Sequence, residues 1–318
     1  MNSRTVRRVG LSVAVVTALT GLAACGSDKG DKAVGKSVTD MSPLAALRSA
    51  EQSTDKAESA KVRSSTSLGD TMSMTADGAL AWGGGLKGNL TITYTGGKMA
   101  DAMRQAGSTS MQARYLPDAY YAKMSDKFAQ QFGKHWIRYA YDDLAKLGGG
   151  SGAYIKDQMQ NTTPNQSVKL LLASGDVKKV GKEKVSGTDA THYAGTVDVA
   201  DLAGKNSNLT AEQLAGLKKQ LGQAGITTEK VDIWVNDQSL LVKKTEKATT
   251  ANGVMTSTAY YTDYGVKVAA EAPPAGDTKD FKDLMKSGGV TGGTGTGTGT
   301  ARFSSRAVLV GLALRLYS

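Results

Sequence analysis

The sequence predicts an α+β protein in which antiparallel strands dominate. Three observations point there. Apolar and polar residues alternate with period two over Thr71–Trp82 and again over Leu86–Tyr94, as in strands with one buried and one wet face. Asn252-Gly253 joins two further strand-like runs, and that dipeptide is the strongest short hairpin signal. Glycine and threonine are abundant, with 38 glycines against 4 phenylalanines, a composition that suits strands and turns better than helix bundles.

The chain opens on Arg4, Arg7 and Arg8, followed by an apolar run from Val9 that ends at Leu22-Ala23-Ala24-Cys25. A charged start, a short apolar stretch and small residues at a cleavage point form a secretory signal. The run from Val9 to Ala24 is 16 residues, short of the roughly 20 that cross hydrocarbon. Leu-Ala-Ala-Cys resembles the lipobox of bacterial lipoproteins. That resemblance implies cleavage before Cys25, a diacylglyceryl group on its sulfur, and a membrane anchor at the first mature residue. Cys25 is the only cysteine, so no internal disulfide competes for it, and two acyl chains anchor stably where one does not. Removing residues 1–24 from 318 leaves 294, and the net charge falls from +10 to +7 as three arginines leave. Positive charge outside the membrane fits attraction to anionic headgroups or wall polymers. A solvated lysine-rich surface accounts for it equally well. No Lys/Arg block interleaved with aromatics suggests nucleic acid.

Residues 25–42 read as a flexible tether, and 43–286 as the folded domain. Ser42-Pro43 is an N-cap with proline at the first helical position, and Leu44, Leu47 and Ala50 share a helical face over 43–56. Met72, Met74, Ala76, Gly78, Leu80 and Trp82 then occupy one face of a strand, and Leu86, Leu90, Ile92 and Tyr94 one face of the next. A one-residue slip would move every one of them into water, so the register is firm. Ala113–Met124 reads as a hairpin through Pro117-Asp118, and Lys134–Tyr141 as a strand leading into a short helix from Asp142-Asp143 to Leu147. Short helices are predicted over 153–160 and 165–173, and a strand pair, Val177–Val185 and Thr191–Val199, around Ser186-Gly187. Thr210-Ala211-Glu212-Gln213 is a capping box for a helix carrying Leu214, Leu217 and Leu221, with Gly222 as its stop. Val231, Ile233 and Val235 alternate with Asp232, Trp234 and Asn236, and Leu240–Thr249 pairs with Met255–Tyr264. A last short helix is predicted over Lys279–Lys286. Residues 287–318 form a Gly/Thr-rich tail ending in a short apolar segment, one that is either interfacial or dispensable.

The helix at 43, the paired one-sided strands around Ala76-Asp77-Gly78, Gly133-Lys134-His135-Trp136-Ile137, and Val231-Asp232-Ile233-Trp234-Val235 with its charged two-strand return are together similar to the LppX/LprG lipoprotein family of actinobacteria. That family shares the architecture of the carriers LolA and LolB. The resemblance covers roughly residues 43–285. It implies a strongly curved antiparallel β half-barrel with helices covering the concave face, enclosing an apolar cavity for acyl chains of lipids or glycolipids that are moved or presented at the envelope.

Met72, Met74, Leu80, Trp82, Leu90, Ile92 and Tyr94 are the residues placed to line such a cavity. Methionine is flexible and polarizable and suits variable acyl chains. The same residues also suit an ordinary core beneath helices. Enzymatic chemistry finds little support: His135 and His192 stand in no metal spacing, no Gly-x-Ser-x-Gly elbow occurs, and the glycine clusters lack a phosphate-loop Gly-Lys-Ser/Thr. Asp142-Asp143 suit a helix N-terminus, and Trp136 and Trp234 suit strand packing. No cofactor and no metal are expected. Two function classes remain: a lipid carrier with a hollow sheet, with a transporter or wall polymer as further partner, and an interaction lipoprotein with a solid core.

Overall fold

In the computed structural model the described residues are 41–147, 163–202, 211–223 and 225–286. Cys25, most of the tether, the helix expected at 153–160, the Thr210 cap and the tail lie outside them. Helix α1 (Pro43–Ala57) starts as its residues dictate: Ser42 is extended, and its hydroxyl accepts from the Ala45 N–H at 3.3 Å. The strands that follow are β1 (Ser59–Leu68), β2 (Met72–Ala81), β3 (Lys87–Gly96), β4 (Ser110–Tyr115), β5 (Ala119–Lys123) and β6 (Trp136–Ala140). Between them lie α2 (Gly97–Gln105) and α3 (Asp126–Phe132), and α4 (Tyr141–Leu147) follows β6. Then come α5 (Gln166–Ser174), β7 (Lys178–Val185), β8 (Thr188–Asp198), α6 (Ala211–Gln223), β9 (Thr228–Asn236), β10 (Leu241–Thr250), β11 (Gly253–Thr262), β12 (Thr278–Asp280) and α7 (Phe281–Lys286).

The strands form one open, curved 12-stranded sheet in the order β12-β6-β5-β4-β3-β2-β1-β11-β10-β9-β8-β7. Within β1–β6 and within β7–β11 sequence-adjacent strands pair, through short turns or across α2, α3 and α6, and β1 closes onto β11 to join the two halves. The β2–β3 register depends on Gly78: a Cβ there would stand 2.0 Å from the Asn89 carbonyl oxygen, so no larger residue fits.

Four features depart from the expected pattern. Helices α2 and α3 had not been foreseen; α3 is capped by Ser125, whose hydroxyl accepts from Phe128 N–H at 3.2 Å. Helix α6 continues past Gly222. Its stop is Gly225, at φ +70°, with the Ile226 N–H returning to the Leu221 carbonyl at 2.8 Å, the hydrogen bond of a Schellman end. Lys279 and Asp280, expected in the last helix, instead join Thr278 in β12. That strand runs parallel to β6, so the sheet is mixed at this edge and antiparallel elsewhere. His135 and Arg138 hold it: the His135 backbone N–H donates to Asp277 at 2.9 Å and Arg138 to Asp280 at 3.1 Å.

All the core-facing helices lie on one face of the sheet, and two apolar clusters fill that side. One packs Leu47 and Ala50 of α1 and Val168, Leu171 and Leu172 of α5 against β1 and β9–β11. The other packs Ala100 and Met103 of α2, Leu144 of α4 and Phe281 and Leu284 of α7 against β2–β6. Asn165 ties α5 to α1 by donating to the Glu51 carbonyl at 2.8 Å and the Asp55 carboxylate at 2.6 Å.

Candidate functional site

The helix-covered face is the candidate site, and the strand register lays it out in rows. Residues directly opposite on paired strands share a face. One row runs Glu229, Ala248, Met255, Leu68, Met72 from β9 to β2, every member buried. The next runs Val231, Glu246, Ser257, Thr66, Met74 and on to Tyr94. A third runs Ile233, Lys244, Ala259, Ser64, Ala76 and Ile92. In the second and third rows the middle of this face, on β1 and β11, is therefore lined by small side chains, Ser64, Thr66, Ser257 and Ala259, whereas the first row crosses it at Leu68 and Met255. Oily side chains stand to one side and ionisable ones to the other.

Of the seven residues singled out by sequence, Met72, Met74, Ile92 and Tyr94 are buried together in the β2–β6 cluster, with Leu90 at its margin. Leu80 touches both clusters and so bridges them. Trp82 packs on the other cluster, edge-on to Tyr264 at 6.4 Å between ring centres. Trp82 follows the far end of β2 from Met72 and Met74, where its backbone N–H donates to the carbonyl of Glu58, the C-cap of α1, at 2.8 Å.

The ionisable end was not anticipated. Glu229, Lys244 and Glu246 are 0%, 3% and 4% exposed. Lys244 donates to the Ser167 hydroxyl of α5 at 3.1 Å, Ser167 donates to the Glu246 carboxylate, and Lys244 pairs with Glu246 at 3.5 Å. Glu229 differs: neither of its carboxylate oxygens has a hydrogen-bond partner. Burial, then the Glu246 carboxylate, push its carboxyl up to about 8, with Lys244 opposing. The signal for this group was in the alternation: Glu229 shares the phase of Val231, Ile233 and Val235, so a strand started two residues earlier would have placed it inward.

The opposite face has a polar groove of about 810 Å³, lined by Lys61, Arg63, Asp77, Lys184, Lys243 and Tyr260 among others. Most of its cations are already neutralised: Lys61 by Asp263 at 2.6 Å, Arg63 by Asp77 at 3.1 Å, Lys184 by Asp189 at 2.7 Å. Beside it Trp234 is 6% exposed, stacked on His192 at 4.2 Å and covered by Lys243 at 3.9 Å. Its ring faces are occupied, so it packs the sheet rather than offering a platform. Trp136 is likewise buried, under Arg114 at 4.7 Å. Among the described residues no group of three or more His, Cys, Asp or Glu side chains is arranged to hold a metal.

A 31.2 kDa Streptomyces griseus protein encoded between rplA and rplJ is 58% identical over 258 residues, which is 80% of this chain and 85% of that protein. A Streptomyces coelicolor protein, provisionally named a lipoprotein, is 46% identical over 310 residues, 91% of this chain and all of its own length. The chain belongs to the family of these two Streptomyces proteins. No wider family description matches it. Among solved structures, the family's member here is similar to the lipoprotein LppX of Mycobacterium tuberculosis, at TM-score 0.45 and 14% identity over 72% of this chain and 97% of that one. LprF of Mycobacterium bovis follows at TM-score 0.44 and 12% identity over 73% and 96%.

Proposed function

We propose that this protein is a lipid-anchored envelope protein that binds the acyl chains of a lipid or glycolipid between its curved sheet and the covering helices, for carriage or presentation without a covalent step. The supporting architecture is a signal over 1–24, Cys25 as the acylated first residue, a tether to 42, the binding domain over 43–286 and a tail beyond. On this reading the domain sits at the extracytoplasmic face of the cell membrane. The Streptomyces coelicolor relative bears a lipoprotein name, and the lipobox of this sequence agrees with it.

One observation carries the reading: the helix-covered face is continuous from the methionines of β2 through small residues on β1 and β11 to β9. Ser64, Thr66, Ser257 and Ala259 reach least far above the sheet, and each acyl methylene buried over them would contribute about 0.8 kcal/mol. A second reading, an interaction protein with a solid core and no ligand, draws on the packing of Met72, Met74 and Ile92 to 1%, 3% and 1% exposure. Native mass spectrometry of the full-length chain, released from its membrane in mild detergent, separates the two. Carriage predicts a non-covalent acyl lipid in addition to the anchor, displaced in Met74→Trp. An empty protein, with a Met74→Trp variant that neither gains nor loses mass beyond the substitution, establishes the solid core.

A further inference from the structure

An acyl chain between sheet and helices accounts for the oily part of the inner face but not for the acid at its end. Two carboxylates, Glu229 and Glu246, share one ammonium, Lys244, and Lys244 is held by Glu246 and Ser167. Glu229 is left fully buried with neither oxygen bonded. A buried polar atom without a partner costs about 1–3 kcal/mol, and such atoms call for a specific explanation.

Resting on the lipid-binding reading, we propose that Glu229 is the hydrogen-bond partner of a hydroxyl carried by the bound acyl lipid, so that the ligand is an acylated alcohol. Three features of the geometry choose that chemistry. Glu229 stands at the end of the buried row that reaches Met72, four strand spacings away, roughly 19 Å, so acid and oil share one inner face. An anionic group is disfavoured, because it would stand beside the Glu246 carboxylate with Lys244, already paired to Glu246, as the shared cation. An ammonium would need a charged pair to be desolvated at Glu229, whereas a neutral hydroxyl both donates and accepts without moving charge. Burial also keeps the Glu229 carboxyl largely protonated near neutrality, and an acid in that form exchanges hydrogen bonds reciprocally with an alcohol. The hydroxyl has two sources, the free position of a diacylglycerol or a hydroxylated fatty acyl chain.

The test uses the full-length chain taken from its own membrane, with the non-covalent lipid identified by native and fragmentation mass spectrometry. The wild type carries lipids with a free hydroxyl, and fragmentation tells a glycerol hydroxyl from a chain hydroxyl. Glu229→Leu lowers the ratio of hydroxylated to hydroxyl-free lipid about tenfold, the loss of one net hydrogen bond, while total lipid occupancy persists. Glu229→Gln, which keeps an acceptor and a donor at the same length, retains most of the preference. A wild type loaded with hydroxyl-free or amine-bearing lipid overturns the assignment and leaves the carrier reading intact, as does a ratio unchanged in Glu229→Leu. A wild type with no lipid overturns both.

Discussion

Glu229 sets a measurable sign on the pH dependence of stability. Its carboxyl is held up to about 8 in the fold against an ordinary value near 4.3. The folded state therefore keeps a proton that the unfolded chain has lost, and stability falls as pH rises through that window, by at most about 1.4 kcal/mol per pH unit. Chemical denaturation at pH 5 and pH 8 is expected to show this fall in the wild type and a shallower one in Glu229→Leu; equal slopes would contradict the assignment. Gly78 makes a steric prediction. With the Asn89 carbonyl 2.0 Å from any added Cβ, Gly78→Val is expected to cost at least about 1–3 kcal/mol as an overpacked site, read from the denaturation midpoint. An unchanged midpoint would mean that β2 and β3 pair otherwise. At this scale the sequence told inward from outward wherever alternation was clean, as at Met72 and Met74. It did not reveal Glu229, because a charged residue in an apolar phase reads as the end of a strand until its partners are known.

Among the elements, helix α1 is legible because its start is local chemistry. Ser42→Ala removes one cap hydrogen bond and is expected to cost about 1 kcal/mol, again by denaturation. Strand β12 was not legible: three residues carry no periodicity, and their pairing with β6 spans 142 positions between Asp277 and His135. That contact also titrates. Asp277 is held below its ordinary range, first by the His135 backbone N–H and then by its side chain. A depressed carboxylate stabilises above its unfolded value and loses that contribution as pH falls through the folded one. Hydrogen exchange of residues 136–138 and 278–280, corrected for intrinsic rates, should lose protection below about pH 4, and Asp277→Asn should flatten the change. Protection that is unaltered by acid in the wild type would remove Asp277 from the clasp. The overrun of α6 past Gly222 has a similar cause, since a glycine stops a helix only where the next residues close the Schellman bond, here at Ile226.

For the whole molecule, the antiparallel meander and its hairpins followed from turns and alternation, while the order that joins β1 to β11 follows from pairings too distant for any local pattern. That long-range join creates the central feature, a single inner face running from acid through small side chains to methionine. Whether a lipid occupies it is most directly read by a photoreactive fatty acid bound to the full-length chain and cross-linked, with the modified peptides mapped by mass spectrometry. Cross-links are expected on inner-face residues of β1–β3 and β11, around Thr66, Met74, Ile92 and Ser257. Cross-links confined to the opposite face, around Lys61 and Tyr260, or none above an unfolded control, would contradict a lipid held beneath the helices.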